Sequence, residues 1–310
     1  MNEPRMLWIA EDPASKEMLE LAQKVAETST TLLITGESGT GKDHLARLIH
    51  ELGPRRDAPF LKIDCASLPQ ELVESELFGH ERGAFTGAVD RNLGRLEMAQ
   101  GGTIVLDEVA ALSPATQSKL LRVLEERQFE RLGGTETITI DARLVALTNS
   151  DLARLVSSGQ FREDLFFRLS VLTIALPALR QRPADILPLA DALLERAARV
   201  HGRSGATFSE AARRMLSVYG WPGNVRELKN AIERALVFST GPTLAPQDFP
   251  ESVQAGETGV GIGLRSLEAM EREVIRATLE ATHYKIGKSA AILGISRKTL
   301  LDKRKKYDLN

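Results

Sequence analysis

The sequence is short of cysteine, of long apolar runs and of metal-ligand spacing, and each shortage removes a class of protein. Cys65 is the only cysteine in 310 residues, so no intrachain disulfide exists and a reducing cytoplasm is the natural setting. No apolar run is long enough to span a bilayer, and the N-terminus lacks a signal-peptide pattern, so no membrane insertion is expected. His44, His50, His80, His201 and His283 show no zinc-type spacing and read as structural or surface residues. Cys65 reads as a small buried filler. What is present fits a globular protein: 43% of residues are hydrophobic and 26% charged, and the length allows two domains or one large and one small. The net charge of −2 hides an asymmetry. Ser296 to Asn310 holds six Lys or Arg against two Asp, which leaves 34 basic and 40 acidic residues elsewhere. A basic end on an acidic body is either a small nucleic-acid module or a solvated helix end.

The chemistry starts at ITGESGTGKD, Ile34 to Asp43. An apolar run, Leu32 to Ile34, enters it, and a helical pattern, Leu45 to Leu52, leaves it. Between them Gly36, Gly41 and Lys42 fit the phosphate-loop spacing, with Glu37, Ser38, Gly39 and Thr40 inside the loop. Glycines let the backbone wrap around a phosphate, and the following helix N-terminus faces the anion. Lys42 supplies a point charge for the phosphates. Asp43 stands where a magnesium-holding Ser or Thr is usual, so a metal must be held mainly from elsewhere.

A second strand is expected at Phe60 to Ile63 and a polar helix at Pro69 to Leu77. Gly83-Ala84-Phe85-Thr86-Gly87-Ala88 places a phenylalanine in a glycine-bracketed stretch. Phe85 is either offered to a partner on a mobile tip or folded into the core, and residue chemistry alone leans to the core. Ile104-Val105-Leu106-Asp107-Glu108 is an apolar strand ending in two carboxylates, at the edge where parallel sheets bind ligands. There Asp107 can organise magnesium and Glu108 can polarise an attacking water. Ser113 is expected to cap a helix carrying Leu120, Leu121 and Leu124. Ala142 to Leu147 reads as a strand ending in Thr148 and Asn149, which are either γ-phosphate sensors or a simple turn. Arg162 and Arg168 lie six residues apart and fit either a neighbour's phosphate or surface ion pairs.

From Asp185 to Phe238 the pattern is helical in three pieces: Ile186 to Val200, a piece capped by Ser209, and Val225 to Phe238 capped by Asn224. Arg226 then falls in a first helical turn, where a cation opposes the helix dipole and a nearby phosphate would explain it. Residues 251 to 265 contain four glycines and read as a linker. Leu267, Met270, Val274, Ala277 and Ala281 line one face of a following helix. Lys288 to Leu293, Gly294-Ile295 and Ser296 onward have helix-turn-helix spacing, with Arg297, Lys298, Thr299 and Lys303 on the last, basic helix.

The chain resembles the sigma-54-dependent bacterial transcription activators, the enhancer-binding proteins of the AAA+ class. GESGTGK, ESELFGHERGAFTGA, GGTIVLDE, FREDLFFRL and GWPGNVRELKN carry the resemblance in the family's order. It implies an α/β fold: an AAA+ P-loop NTPase with a parallel sheet and helices on both faces, a helical lid, and a C-terminal Fis-type helix-turn-helix. The expected division is 1–178, 179–250, a linker at 251–265, and 266–310. The resemblance implies ATP and Mg2+ as ligands, with Lys42 on phosphate, Asp107 on the metal and Glu108 catalytic. It makes Thr148 and Asn149 the first sensor and Arg226 the second, and it makes Arg162 and Arg168 arginines given from a neighbour. Gly83 to Ala88, with Phe85 and Thr86 at the tip, would grip the sigma factor. The implied partners are sigma-54, RNA polymerase, enhancer DNA and further copies or a paralogue, from dimer to hexamer.

Asp64 stands where the family often has Asn, and two carboxylates brought together, Asp64 and Glu108, would raise one pKa. Few residues precede the first strand, so control is expected in trans or through expression, with a negative regulator or a paralogous partner the expected agent. Two competing readings are a repressor with an ATPase scaffold and a remodeller of some other target.

Overall fold

The computed structural model describes residues 8–85, 87–255, 275, 276, 278, 279, 282 and 284–307. Thr86, the expected face Leu267, Met270, Val274, Ala277 and Ala281, and linker residues 256–265 lie outside them. The chain forms two compact units, Met1–Gly259 and Val260–Asn310.

In the first unit a helix, α1 (Pro13–Ala26), precedes strand β1 (Leu32–Thr35) and helix α2 (Lys42–Leu52). Then come β2 (Phe60–Asp64), α3 (Gln70–Phe78), β3 (Thr103–Asp107), α4 (Pro114–Glu126), β4 (Arg143–Thr148), α5 (Glu163–Leu169) and β5 (Leu172–Ala175). The five strands form one parallel sheet in the order β2-β3-β4-β1-β5. β3 and β4 are apolar and almost wholly buried, as strands covered on both faces must be. One apolar cluster joins Leu33, Leu106, Ala146 and α3–α5, and a second joins Ile34, Val105, Leu147, α1 and α2, so helices lie on both faces. Ser113 caps α4 through the Thr116 N–H, as its sequence predicts. Cys65 is buried in the first cluster, and burial pushes its thiol up to about 12, which leaves it a packing residue. β5 has no counterpart in the sequence reading. It contributes four residues and pairs β1 at the sheet edge, with only Ile174 fully buried.

Helices α6 (Ile186–Val200), α7 (Glu210–Val218) and α8 (Asn224–Phe238) bury their own core around Trp221, Leu228, Ile232 and Leu236. Ser209 caps α7 as expected. Glu251–Gln254 form a helical turn and Val253 is buried in this same core, whereas the sequence places residue 251 at the start of a linker. The apolar Val253 anchors that segment despite the glycines that follow it. Among the described residues no helix is long and apolar enough to cross a membrane.

The second unit holds α9 (Ile286–Ile292) and α10 (Arg297–Lys306) around Leu279, Ala290, Leu300 and Tyr307. Gly294 turns the chain between them at φ +66°. The two helices and their turn match the expected helix-turn-helix spacing.

Candidate active site

β1 delivers its C-terminal end to the loop Gly36–Gly41, and α2 starts at Lys42. Lys42 is only 6% exposed, and its Nζ donates to the carbonyls of Gly36 at 2.8 Å and Glu37 at 3.2 Å. Burial lowers its pKa, while the nearby carboxylates Glu108, Asp107 and Asp43 favour the charged form. A buried ammonium folded over its own loop is a cation held ready for an anion. Gly39 is needed twice over: its φ is +78°, and a Cβ there would lie 2.4 Å from the Gly223 carbonyl.

β2 and β3 bring Asp64 level with Asp107. Glu108 follows at φ +53°, a left-handed backbone that a non-glycine residue adopts at a cost. Its Oε2 accepts the Asn149 N–H at 3.1 Å from the end of β4. The Asp64 carboxylate accepts from the Ala66 and Ser67 N–H groups at 3.0 and 3.1 Å, so each carboxylate serves a different backbone turn. Thr148 is buried and its hydroxyl accepts the Ser150 N–H at 3.0 Å. Asn149 reaches Glu108 through its backbone and lines the cavity beside the loop.

That cavity, about 960 Å³, lies between the phosphate loop and the lid and is lined by Glu37, Ser38, Asn149, Arg226 and Arg234 among others. Arg226, in the first turn of α8, donates to Ser38 Oγ at 2.7 Å. Lid and loop are joined further by residues the sequence reading missed. Arg180 forks onto Glu37 at 2.8 and 2.5 Å, and buried Arg182 donates to the Thr40 carbonyl at 2.7 Å. Two arginines inside a proline-bounded connector were the available signal.

Asn224 does not cap α8, contrary to its reading; Gly223 holds the cap position, without a side-chain bond. Asn224 sits at φ +54° and is fully buried. Its Oδ1 accepts the Leu179 N–H at 2.8 Å, and its Nδ2 donates to Glu37 Oε2 and the Ser38 carbonyl at 3.1 Å each. Asn224→Ala leaves the Leu179 N–H buried without a partner. Denaturant unfolding is expected to show a loss of about 1–3 kcal/mol.

The Arg180 fork holds the Glu37 carboxyl down to about 2 from its ordinary 4.5. A depressed carboxylate stabilises the fold above its unfolded value and ceases to as pH falls through its folded one. The gap in melting temperature between the parent protein and Arg180→Met is therefore expected to be constant above pH 5 and to close between about pH 4.5 and 2. The pair is about half exposed, so its worth is below about 1 kcal/mol.

Gly83 and Phe85 are tied back to Ala88 outside the sheet. The Gly83 N–H donates to the Ala88 carbonyl at 2.8 Å, and the Ala88 N–H to the Phe85 carbonyl at 3.0 Å. Phe85 is 41% exposed and its ring meets His80 edge-on at 5.0 Å, so it is not folded into the core. A β-hairpin, Gln128–Glu130 with Thr137–Thr139, supports the loop through Gly133, where a Cβ would press on Ala84 at 2.9 Å.

Arg162 forks onto Asp164 at 3.0 and 2.7 Å and donates to Ser118 Oγ at 3.1 Å. Arg168, on the helix that Arg162 precedes, is exposed and forms no ion pair among the described residues. Within the chain, then, the pair stands at the surface, as both readings of it require. In the second unit Ser296 caps α10 through the Thr299 N–H at 3.0 Å, and its hydroxyl also meets Thr299 Oγ1, so Thr299 is part of the cap. Arg297 and Lys298 are exposed, and Lys303 is half-buried.

Comparison with known proteins joins these parts. A family described as the sigma-54 interaction domain matches residues 8–175. The AAA+ ATPase lid domain matches 180–260, and the bacterial regulatory protein, Fis family, matches 266–307. The chain is 47% identical over 305 residues to the nitrogen fixation protein VnfA of Azotobacter vinelandii, covering 96% of this chain but 58% of that one. It is 42% identical over 319 residues to the regulatory protein AtoC of Escherichia coli K12, covering 100% of this chain and 67% of the relative. The structure of NtrX from Brucella abortus in complex with ATP superposes with a TM-score of 0.76 at 32% identity, over 98% of this chain and 70% of that one. With its phosphate loop, helical lid and Fis-type helix-turn-helix, the chain belongs to the sigma-54-dependent transcriptional regulators of the AAA+ P-loop NTPase class.

Proposed function

We propose that the protein hydrolyses ATP and uses the cycle to remodel the closed complex of sigma-54 RNA polymerase while bound to upstream enhancer DNA. The observation that carries this reading is one protomer holding a buried phosphate-loop lysine beside Asp107 and Glu108, together with a half-exposed phenylalanine loop.

The groups fit a magnesium nucleotide. Asp43 and Asp107 converge on a single cation, the Lys62 ammonium, at 2.5 and 2.6 Å, so their oxygens already face one point. Among the described residues no cluster of three or more ligating side chains makes a closed metal site, which suits an ion held by one or two carboxylates plus phosphate. Magnesium, when bound with nucleotide, neutralises charge developing on the phosphate oxygens. Lys42 and the N-terminus of α2 hold the phosphates, with Arg226 reaching in from the lid. Glu108, fixed by the Asn149 N–H, orients and polarises the attacking water. Arg162 and Arg168 serve the phosphate of an adjoining copy, which makes a ring of up to six copies, of one chain or two, part of the proposal. The Asp164 fork is exposed and screened by solvent, so Arg162 can exchange it for a neighbour's phosphate. Arg297, Lys298 and Lys303 contact enhancer DNA, with Ser296 and Thr299 setting the helix end.

Phe85 is exposed in a loop that shares no residue with the phosphate cradle. Phe85→Ala is therefore expected to keep ATP turnover within about threefold and to lose promoter opening with sigma-54 polymerase. Thr86→Ala is expected to do the same. Loss of both activities together, or of neither, is the outcome against it.

A further inference from the structure

β2 places one lysine where two carboxylates meet. Strand alternation puts Phe60, Lys62 and Asp64 on one face and Leu61 and Ile63 on the other. Phe60 packs in the cluster that holds α1 and α2, whereas Ile63 belongs to the opposite cluster. Lys62 therefore lies on the α2 face, and its long side chain runs toward the C-terminal edge of the sheet. There its Nζ is 2.6 Å from Asp107 Oδ2 on β3 and 2.5 Å from Asp43 Oδ2 in the first turn of α2. Asp64, the nearest carboxylate in sequence, is turned away onto the Ala66 and Ser67 N–H groups. The lysine thus bridges the two acids that flank the phosphate loop and takes no part in the loop itself.

We propose that Lys62 is a resident counter-cation: it occupies the point between Asp43 and Asp107 that a divalent metal would take, and it must leave Asp107 before metal binds. The inference rests on Asp107 being the metal organiser. An ammonium at hydrogen-bond range of Asp107 Oδ2 and a divalent ion on that same oxygen repel strongly, because the carboxylate is largely buried and solvent screening is reduced. Asp43 gives the displaced lysine a second anchor. The residue that replaces the usual hydroxyl after Lys42 thereby gains a task, holding Lys62 once the metal has arrived. Lys62 is a positioning residue: it keeps Asp107 aimed while the site is empty of metal and sets the metal concentration at which the site fills.

The test is Mn2+ binding to the full chain with ADP, followed by electron paramagnetic resonance of the free ion, which reads metal occupancy without turnover. Lys62→Met keeps the aliphatic stem and removes the charge. It is expected to bind Mn2+ about tenfold more tightly than the parent. Lys62→Arg, which keeps the charge, is expected to stay near the parent. Unchanged or weaker Mn2+ binding in Lys62→Met overturns the inference, as does Lys62→Arg behaving like Lys62→Met. If circular dichroism shows Lys62→Met unfolded, Lys62→Gln carries the same expectation. A parent protein that binds ADP but no Mn2+ overturns both this inference and the metal role of Asp107. Parent binding with no gain in the variants overturns the inference alone.

Discussion

Glu108→Gln is expected to lower ATP turnover by about 10²–10⁴ while leaving ATP binding within a few-fold, read by phosphate release and by fluorescent-nucleotide titration. Glu108 follows β3, in the crevice at the C-terminal edge of a parallel sheet, where ligands of such folds bind. The Asn149 N–H fixes one of its oxygens, which leaves the other to act on a water. Glutamine keeps the size of the side chain and loses its charge and basicity. Binding survives because Lys42, the loop amides and Arg226 are untouched. A variant that still turns over ATP like the parent would move the base elsewhere.

Arg162→Ala is expected to cost more, about 10³–10⁵ in turnover, because a guanidinium supplied by a neighbour meets charge that develops only in the transition state. In a single protomer Arg162 is engaged by Asp164 and Ser118, and no bond joins it to its own phosphate loop among the described residues. On the proposed reading its effect on the chemistry requires assembly. This predicts complementation: mixing Arg162→Ala with Glu108→Gln places an intact Arg162 from one chain beside an intact Glu108 of the other. The mixture should exceed both single variants in turnover. If Arg162 serves only its Asp164 pair, the alanine variant will turn over ATP normally and the mixture will show nothing new.

The strands β1, β3 and β4 were legible because buried parallel strands read as apolar runs, and the last two end in Asp107 and Thr148, whereas β2 was legible from a short apolar stretch after Pro59. The helices α6 and α7 were legible from spacing and from Ser209. β5 was not, since a four-residue edge strand with one fully buried side chain leaves no periodic signature. Asn224 has the chemistry of a cap, and only tertiary packing turns it instead into the pin between lid and phosphate loop. The Asp64 carboxylate is held by a local turn that its charge alone did not reveal. Lys62 hid for another reason: a lysine on a strand reads as solvent-facing until the fold brings Asp107 of β3 and Asp43 of α2 to its ammonium. For Phe85 residue chemistry leaned to the core, and the structure corrects it: the loop's support on the Gly133 hairpin leaves its ring half outside.

The account stands most directly on whether nucleotide turnover opens a promoter. Permanganate reactivity of the melted bases should be followed with sigma-54 polymerase, enhancer-bearing DNA and the purified protein. Melting that appears with ATP, is absent with a non-hydrolysable analogue and is absent with Glu108→Gln is the result expected. Melting that proceeds equally well with the analogue, or none with ATP while the protein binds its DNA and consumes ATP, would contradict it.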